Sequence, residues 1–277
     1  MSDLLRAHSA LISSFELMGL IVLVSLLEIF VPRKARVGET QLRWFGNISS
    51  MILGAISVRL VFPVIGFSFA TLCAERGWGL LNNVTMPLWV KAAITVIVLD
   101  LAVYFRHRMV HHVSFLWRLH RLHHTDDDVD FTTALRFHPL DSILNVAVEL
   151  GQIAILGAVP MVILVFGLVT NVLDLMIHAN VRLPQGLDRI FRRVLVTPDM
   201  HRTHHSQRMQ ETNSNYGSVF SLWDRWLGTH GADPLGGHEQ LPSGLIEFSH
   251  PKHQTLPWML AQPFLRVPDM AHPQKNR

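Results

Sequence analysis

Several stretches of this chain are too long and too apolar to face water, and they constrain the fold more than any other feature. Ser14–Val31 is apolar apart from Glu16 and Glu28. Ser49–Leu72 follows with Arg59 inside it, then Pro87–Phe105, then Ile143–His178, which has Gly157 and Pro160 near its middle. A helix needs roughly 20 apolar residues to cross a bilayer. The last run is too long for one crossing, and Gly157 and Pro160 divide it into a hairpin of two helices, because proline interrupts the helical hydrogen-bond ladder. The expected fold is all-α, an integral membrane bundle of four to five helices with a helical cap on the cytoplasmic side. The composition agrees. Hydrophobic residues make up 49% of the chain and charged residues 16%, against about a quarter charged in soluble domains.

The basic residues orient the bundle. Arg33, Lys34, Arg36 and Arg43 crowd the first connection, Arg76 stands alone in the second, and Arg106, Arg108, Arg118, Arg121 and Arg136 crowd the third. Cytoplasmic loops carry the excess of Lys and Arg. That rule puts the N-terminus outside, residues 32–48 inside, the Cys73–Met86 loop outside, and residues 106–141 and 179–277 inside. The net charge of +3 then needs no nucleic-acid partner, since the basic residues flank apolar runs and form no stripe interleaved with aromatics. No small-residue cleavage site follows the first run, so it is expected to remain as a helix. The single cysteine, Cys73, excludes disulfides within the chain, a rubredoxin-like centre and a cluster with four Cys ligands.

Three histidine clusters carry the chemistry: His107 and His111; His120, His123 and His124; and His201, His204 and His205. Two of them share the spacing HxxHH. With 17 histidines in the chain, one pair at helical spacing could be coincidence, but two copies of HxxHH at the ends of apolar runs are not. Residues three or four apart lie on one helix face, so each cluster aims its imidazoles together. Neutral imidazole binds iron, zinc, copper and nickel. Eight convergent imidazoles exceed the needs of one tetrahedral zinc and suit a pair of metals.

Other residues surround these clusters. Asp100, Tyr104 and His107 form a stripe near i, i+4 and i+7, so Asp100 either receives the second ring N–H of a ligating histidine or is a polar helix-end residue. His112 is expected to point away. The acidic run Thr125–Asp130 is either a solvated turn or a set of carboxylates that orient nearby imidazoles. His138 and His178 are isolated in sequence but placed to approach the same site. Trp223 and Trp226 are expected as interface anchors, with Tyr216 either beside them or at the site. The histidines of the Pro-rich tail (His238, His250, His253, His272) show no metal spacing and are expected at the surface.

The stretch DLAVYFRHRMVHHVSFLWRLHRLHHTDDDVDFTTALRFHP, from Asp100 to Pro139, resembles the fatty acid hydroxylase / sterol desaturase superfamily. So do HANVRLP, TPDMHRTHHS, NYG and WDRWLGT further along, ending at Thr229. The resemblance implies a membrane enzyme with a histidine-held pair of iron ions, which zinc can replace, using O2 to hydroxylate or desaturate a C–H bond of a lipid or sterol-like substrate. It implies His107, His111, His120, His123, His124, His201, His204 and His205 as ligands, with His138 and His178 at the family's intervening positions. Asp174 is expected as a further ligand or just behind the ligands, where Asp100, Asp199 and Tyr216 are also candidates. No HPGG motif of a fused cytochrome b5 occurs, so electrons are expected from a separate ferredoxin, or cytochrome b5 with its reductase. The chain reads as one domain, with a motif core at 100–229 and a tail at 230–277. The expected location is a bacterial inner membrane in preference to the endoplasmic reticulum.

Two other function classes are open at this point. A dizinc hydrolase of membrane lipids would use the same clusters with Asp199 or Asp126 as acid or base. A metal carrier without catalysis would place its site near the bilayer midplane, whereas these clusters follow helix ends.

Overall fold

The structure, a computed structural model, describes residues 18–231 and 233–266. Among them every extended element is helical. Helix α1 covers Met18–Phe30, α2 Thr40–Val61, α3 Gly66–Arg76, α4 Leu88–His112 and α5 Ser114–His124. The hairpin follows as α6 Pro139–Leu156 and α7 Pro160–His178. Short helices complete the chain: α8 Gln185–Phe191, α9 Pro198–His204, α10 Met209–Thr212, α11 Leu222–Trp226 and α12 Leu256–Ala261.

Four candidate spans are long and apolar enough to cross a membrane: Thr40–Asn83, Leu88–His112, Pro139–Leu156 and Pro160–His178. The first is interrupted where the sequence suggested one run. Phe62, just before Pro63, takes extended angles (φ −122°, ψ 95°), as the proline ring demands of its predecessor, and α3 starts afresh at Gly66. The hairpin forms as expected. Gly157 caps α6 in the left-handed region (φ 70°), and Pro160 opens α7, where its missing N–H costs nothing. Gly79 (φ 90°) packs against this corner so closely that a Cβ there would lie 2.0 Å from the Gly157 nitrogen.

The outward faces match a lipid solvent. On α2, Phe45, Ile48, Ile52, Ile56 and Leu60 are all exposed and recur every three or four residues, so they form one apolar face. Inside, Ala70, Cys73, Leu99, Ile153, Leu156 and Ile163 join α3, α4, α6 and α7 in one cluster. Glu28, a charge within an apolar run, is buried as a tie: its Oε1 accepts from the backbone N–H of Phe131 and of Asn180, both at 2.8 Å.

The acidic run does neither of the things expected of it. It clasps a cation from α2. Arg43 donates to Asp126 Oδ1 at 2.5 Å and to Asp130 Oδ2 at 3.2 Å. Asn47 donates to Asp126 Oδ2 at 3.0 Å, and Arg136 donates to the Leu122 carbonyl, Asn47 Oδ1 and Thr125 Oγ1. Burial pushes the Asp126 carboxyl up, but Arg43 and Arg136 outweigh it and hold the group below the usual range. This buried lattice fixes the end of α5, and with it the second histidine cluster, against α2.

Candidate metal centre

Three helices and the end of a fourth bring nine imidazoles together. His107 and His111 occupy the last two turns of α4, which runs past the end of the apolar stretch. His120, His123 and His124 end α5, His178 ends α7, and His201 and His204 lie on α9 with His205 at its cap. All nine are buried.

They form two groups of four. The ligand atoms of His107, His111, His120 and His124 lie within 4.8 Å of one another, and so do those of His123, His178, His201 and His205. The HxxHH spacing explains the division. Residues i and i+4 share a face, whereas i+3 is turned aside from that direction by most of a right angle. In α5, His120 and His124 serve the first group and His123 serves the second. In α9 the pair His201 and His205 serves the second, while His204 turns to the first, its ring 4.5 Å from His107 and 4.7 Å from His111. The sequence suggested that each cluster points one way; the structure splits each HxxHH between two neighbouring groups.

Hydrogen bonds set the tautomers. The Nδ1–H of His107 donates to the Tyr216 carbonyl at 2.9 Å, that of His204 to the Ser214 carbonyl at 2.7 Å, and that of His178 to the Asp174 carbonyl at 2.7 Å. His120 Nδ1 donates to Asp141 Oδ2 at 3.2 Å. Each Nε2 is left as a lone pair, the form in which imidazole binds a metal. The Nε2 atoms of His107, His120 and His204 are buried with no partner among the described residues. In the second group His178 Nε2 lies 3.1 Å from His123 Nε2 and 2.9 Å from His201 Nε2, which is 3.2 Å from His205 Nε2. Nitrogens packed so closely repel unless a cation or shared protons lie among them. Protonation is opposed here: burial, then neighbouring imidazoles, lower His123, His124, His201 and His205 well below their ordinary value. Burial brings His204 down to about 3 although the Ser214 carbonyl works against it. The residues present fit two bound metal ions.

The remaining expected site residues fall in different places. His138 lies outside both groups. It caps α6 by accepting from the Leu140 N–H, and its Nε2 faces the Leu260 carbonyl. Asp100 meets no histidine; it accepts from the Val219 and Phe220 N–H groups and from Trp223 Nε1 at 2.6 Å. Trp223 is therefore buried as a tie to α4 and is no interface anchor, whereas Trp226 is exposed. Asp199 pairs with Arg33 at 3.0 Å and belongs to neither histidine group. Asp174 approaches His178 through its carbonyl. Tyr216 is buried with its ring beside His107, His111 and His204. His112 is exposed and donates to the Arg108 carbonyl. In the tail, His238 is buried against Asp199 and Asp233, contrary to expectation, and His253 is half-buried; His272 lies outside the described residues.

Sequence reasoning missed Asp141 and Asp224. Asp141 is the carboxylate behind His120. Asp224, inside WDRWLGT, accepts from the N–H groups of Tyr216 and Gly217 at 2.8 Å each, and so aims the NYG loop carbonyl at His107. A carboxylate in a quoted motif was a signal for Asp224; Asp141 had only its place three residues past His138.

A cavity of about 350 Å³ opens from the imidazoles of His107, His120, His123, His178 and His201 and extends between α4, α6 and α7. Taken together, these features define an all-helical protein of membrane type whose buried histidines can hold a pair of metals beside a cavity among the spans. Residues 92–229 match the family model described as Fatty acid hydroxylase, and the chain belongs to that family. Ornithine lipid hydroxylase OlsE of Rhizobium tropici is 32% identical over 222 residues, covering 76% of this chain and 64% of that protein. Alkylglycerol monooxygenase of Caenorhabditis elegans is 30% identical over 141 residues, 48% of this chain and 26% of that protein. Very-long-chain aldehyde decarbonylase GL1-9 of Oryza sativa subsp. indica is 28% identical over 193 residues, 67% of this chain and 68% of that protein. The chain thus spans less than two thirds of the first two relatives. No solved structure matches it.

Proposed function

We propose that this chain is a di-iron, O2-dependent membrane oxidoreductase that oxidises a C–H bond of a lipid or sterol-like substrate, by hydroxylation in preference to desaturation. The observation that carries the reading is the pair of four-imidazole groups, all buried, at the mouth of a cavity between apolar spans. The names of the relatives, a lipid hydroxylase and a monooxygenase, favour hydroxylation.

His107, His111, His120 and His124 would hold one ion, with His204 beside them, and His123, His178, His201 and His205 the other. Iron held there supplies the O2-dependent oxidation of an unactivated C–H bond, for which no side chain here has the chemistry. The protein's own residues do the rest. Asp141 and the carbonyls of Tyr216, Ser214 and Asp174 lock ring orientation and tautomer. Burial keeps water and protons off the imidazoles, and the cavity between α4, α6 and α7 admits the substrate from the bilayer side. The hydrolase reading loses its support, because its candidate acids are engaged: Asp199 by Arg33 and Asp126 by Arg43.

We read the whole chain as one membrane-embedded domain with its site on the cytoplasmic face of a bacterial inner membrane, fed by a separate ferredoxin or cytochrome b5 system. The test is lipid-dependent O2 uptake by the purified iron-loaded protein with a chemically reduced ferredoxin. The expected result is uptake that requires both lipid and reductant, with a hydroxylated product found by mass spectrometry. Lipid turnover that proceeds without O2 or reductant would refute the oxygenase reading.

A further inference from the structure

Helix α8 carries an apolar face that the membrane-spanning helices do not account for. Leu187, Ile190, Phe191 and Val194 are all exposed, and at three or four positions apart they share one side of a helix. The winding continues past the end of α8, since the Val194 and Leu195 N–H groups both donate to the Phe191 carbonyl. Arg189 and Arg193 are exposed on the same segment, and neither side chain makes a hydrogen bond or ion pair among the described residues. Helix α11 is stitched to this segment: the Ser221 N–H donates to the Val194 carbonyl at 2.9 Å, and Arg225 donates to the Arg192 carbonyl at 2.6 Å. It adds Trp226 and Leu227, both exposed.

Contacts with α4 fix the level of this unit along the bundle. Asp100 holds the Val219 and Phe220 N–H groups and the Trp223 indole, and the Tyr104 hydroxyl meets Thr229 Oγ1 at 2.8 Å. Asp100 precedes His107 by seven positions, about 10 Å along α4 at 1.5 Å per residue, and lies within the apolar run Pro87–Phe105. The chain from 219 to 229 therefore runs beside the apolar part of α4 and not beyond its end.

An exposed apolar patch rimmed by cations is an interaction surface. A helix with apolar residues on one side and arginines on another is suited to lie in the plane of a bilayer surface. Two observations select lipid over a soluble partner or a second copy. The patch is continuous with the level of the apolar spans, and its charge suits phosphate: the acids of 185–194 and 219–229 are Asp188 and Asp224, both buried, whereas Arg189 and Arg193 are free. We propose that α8 and α11 form a shelf in the headgroup layer on the histidine side of the bundle. Its apolar face meets acyl chains, and Arg189 and Arg193 take the phosphates of anionic phospholipids.

The test is contact quenching in vesicles, which does not depend on metal or turnover. The full-length protein with Cys73→Ala and Ile190→Cys is labelled with bimane and placed in phosphatidylcholine vesicles. A minor share of the lipid is brominated phosphatidylcholine or, in parallel, brominated phosphatidylglycerol. Ile52→Cys, on the exposed apolar face of α2, is the reference and should be quenched alike by both. The label at 190 is expected to be quenched by both lipids, and at least about threefold more effectively by the phosphatidylglycerol, as two arginines at a surface would draw it in. Arg189→Gln with Arg193→Gln is expected to remove that excess and leave the basal quenching. Salt at about 0.5 M, which shortens the screening length to a few ångström, should do the same without any substitution. Quenching at 52 but not at 190 would overturn the shelf. Equal quenching by the two lipids at 190, or an excess that survives both the double variant and salt, would overturn the headgroup recognition.

Discussion

His123 and His124 are neighbours in the chain and belong to different groups of imidazoles, and this shows how much one helical turn decides. Spacing brought the eight clustered histidines to light, but their division between two groups depends on how α5 and α9 are rotated against α4 and α7, which only packing determines. The same limit explains His138 and Asp100. Both have plausible spacing, yet one caps a helix and the other ties α4 to the segment 219–223. The imidazoles also make the site acid-sensitive. Above about pH 6.5 they are neutral in the folded and the unfolded chain alike. Below that, the unfolded chain takes up protons that the buried rings of His123, His124, His201, His204 and His205 refuse, so stability and metal affinity both fall with pH, down towards about 3, where burial places His204. Dialysis against a chelator across a pH series should therefore release the metal increasingly between about pH 6.5 and 4.5. Retention that is flat over that range would contradict neutral, buried ligands.

The helices divide into those legible in the sequence and those that were not. Apolar length revealed α4, α6 and α7, and Gly157 and Pro160 located the hairpin corner. The break at Pro63 was missed because Phe62–Ile65 is as apolar as the helices on either side, so hydropathy does not change where the backbone does. The acidic run was misread because its partner, Arg43, lies on α2, more than eighty positions earlier; no local pattern reports such a pair. Its weight is testable. Arg43→Leu removes the guanidinium that hydrogen-bonds both Asp126 and Asp130, leaving only the more distant Arg136 and Arg36 to offset them, and removing one partner of a buried charge network costs about 3–5 kcal/mol. The variant is expected to insert in the membrane yet melt at least about 5 °C below the wild-type protein, followed by tryptophan fluorescence in detergent. An unchanged midpoint would mean that the lattice does not hold α5 in place.

At the scale of the molecule, the faces of α2, α4, α6 and α7 that a soluble protein would cover with charge are apolar, and the basic residues gather at the end that holds the histidines. The proposed orientation puts that end in the cytoplasm. With Cys73 replaced by Ala, a cysteine at Thr229 or Asp233 should react with a membrane-impermeant maleimide only in inverted vesicles, and one at Asn83 only in right-side-out cells; the opposite pattern would reverse the topology. The central claim, two metal ions in two histidine groups, is tested most directly by counting iron per chain in protein purified quickly from iron-replete cells, with Mössbauer spectroscopy on the same samples. The account predicts about two coupled irons in the wild-type protein, about one in each of His124→Ala and His205→Ala, and the wild-type content in His138→Ala. A single iron in the wild-type protein, or one that His205→Ala leaves untouched, would contradict it.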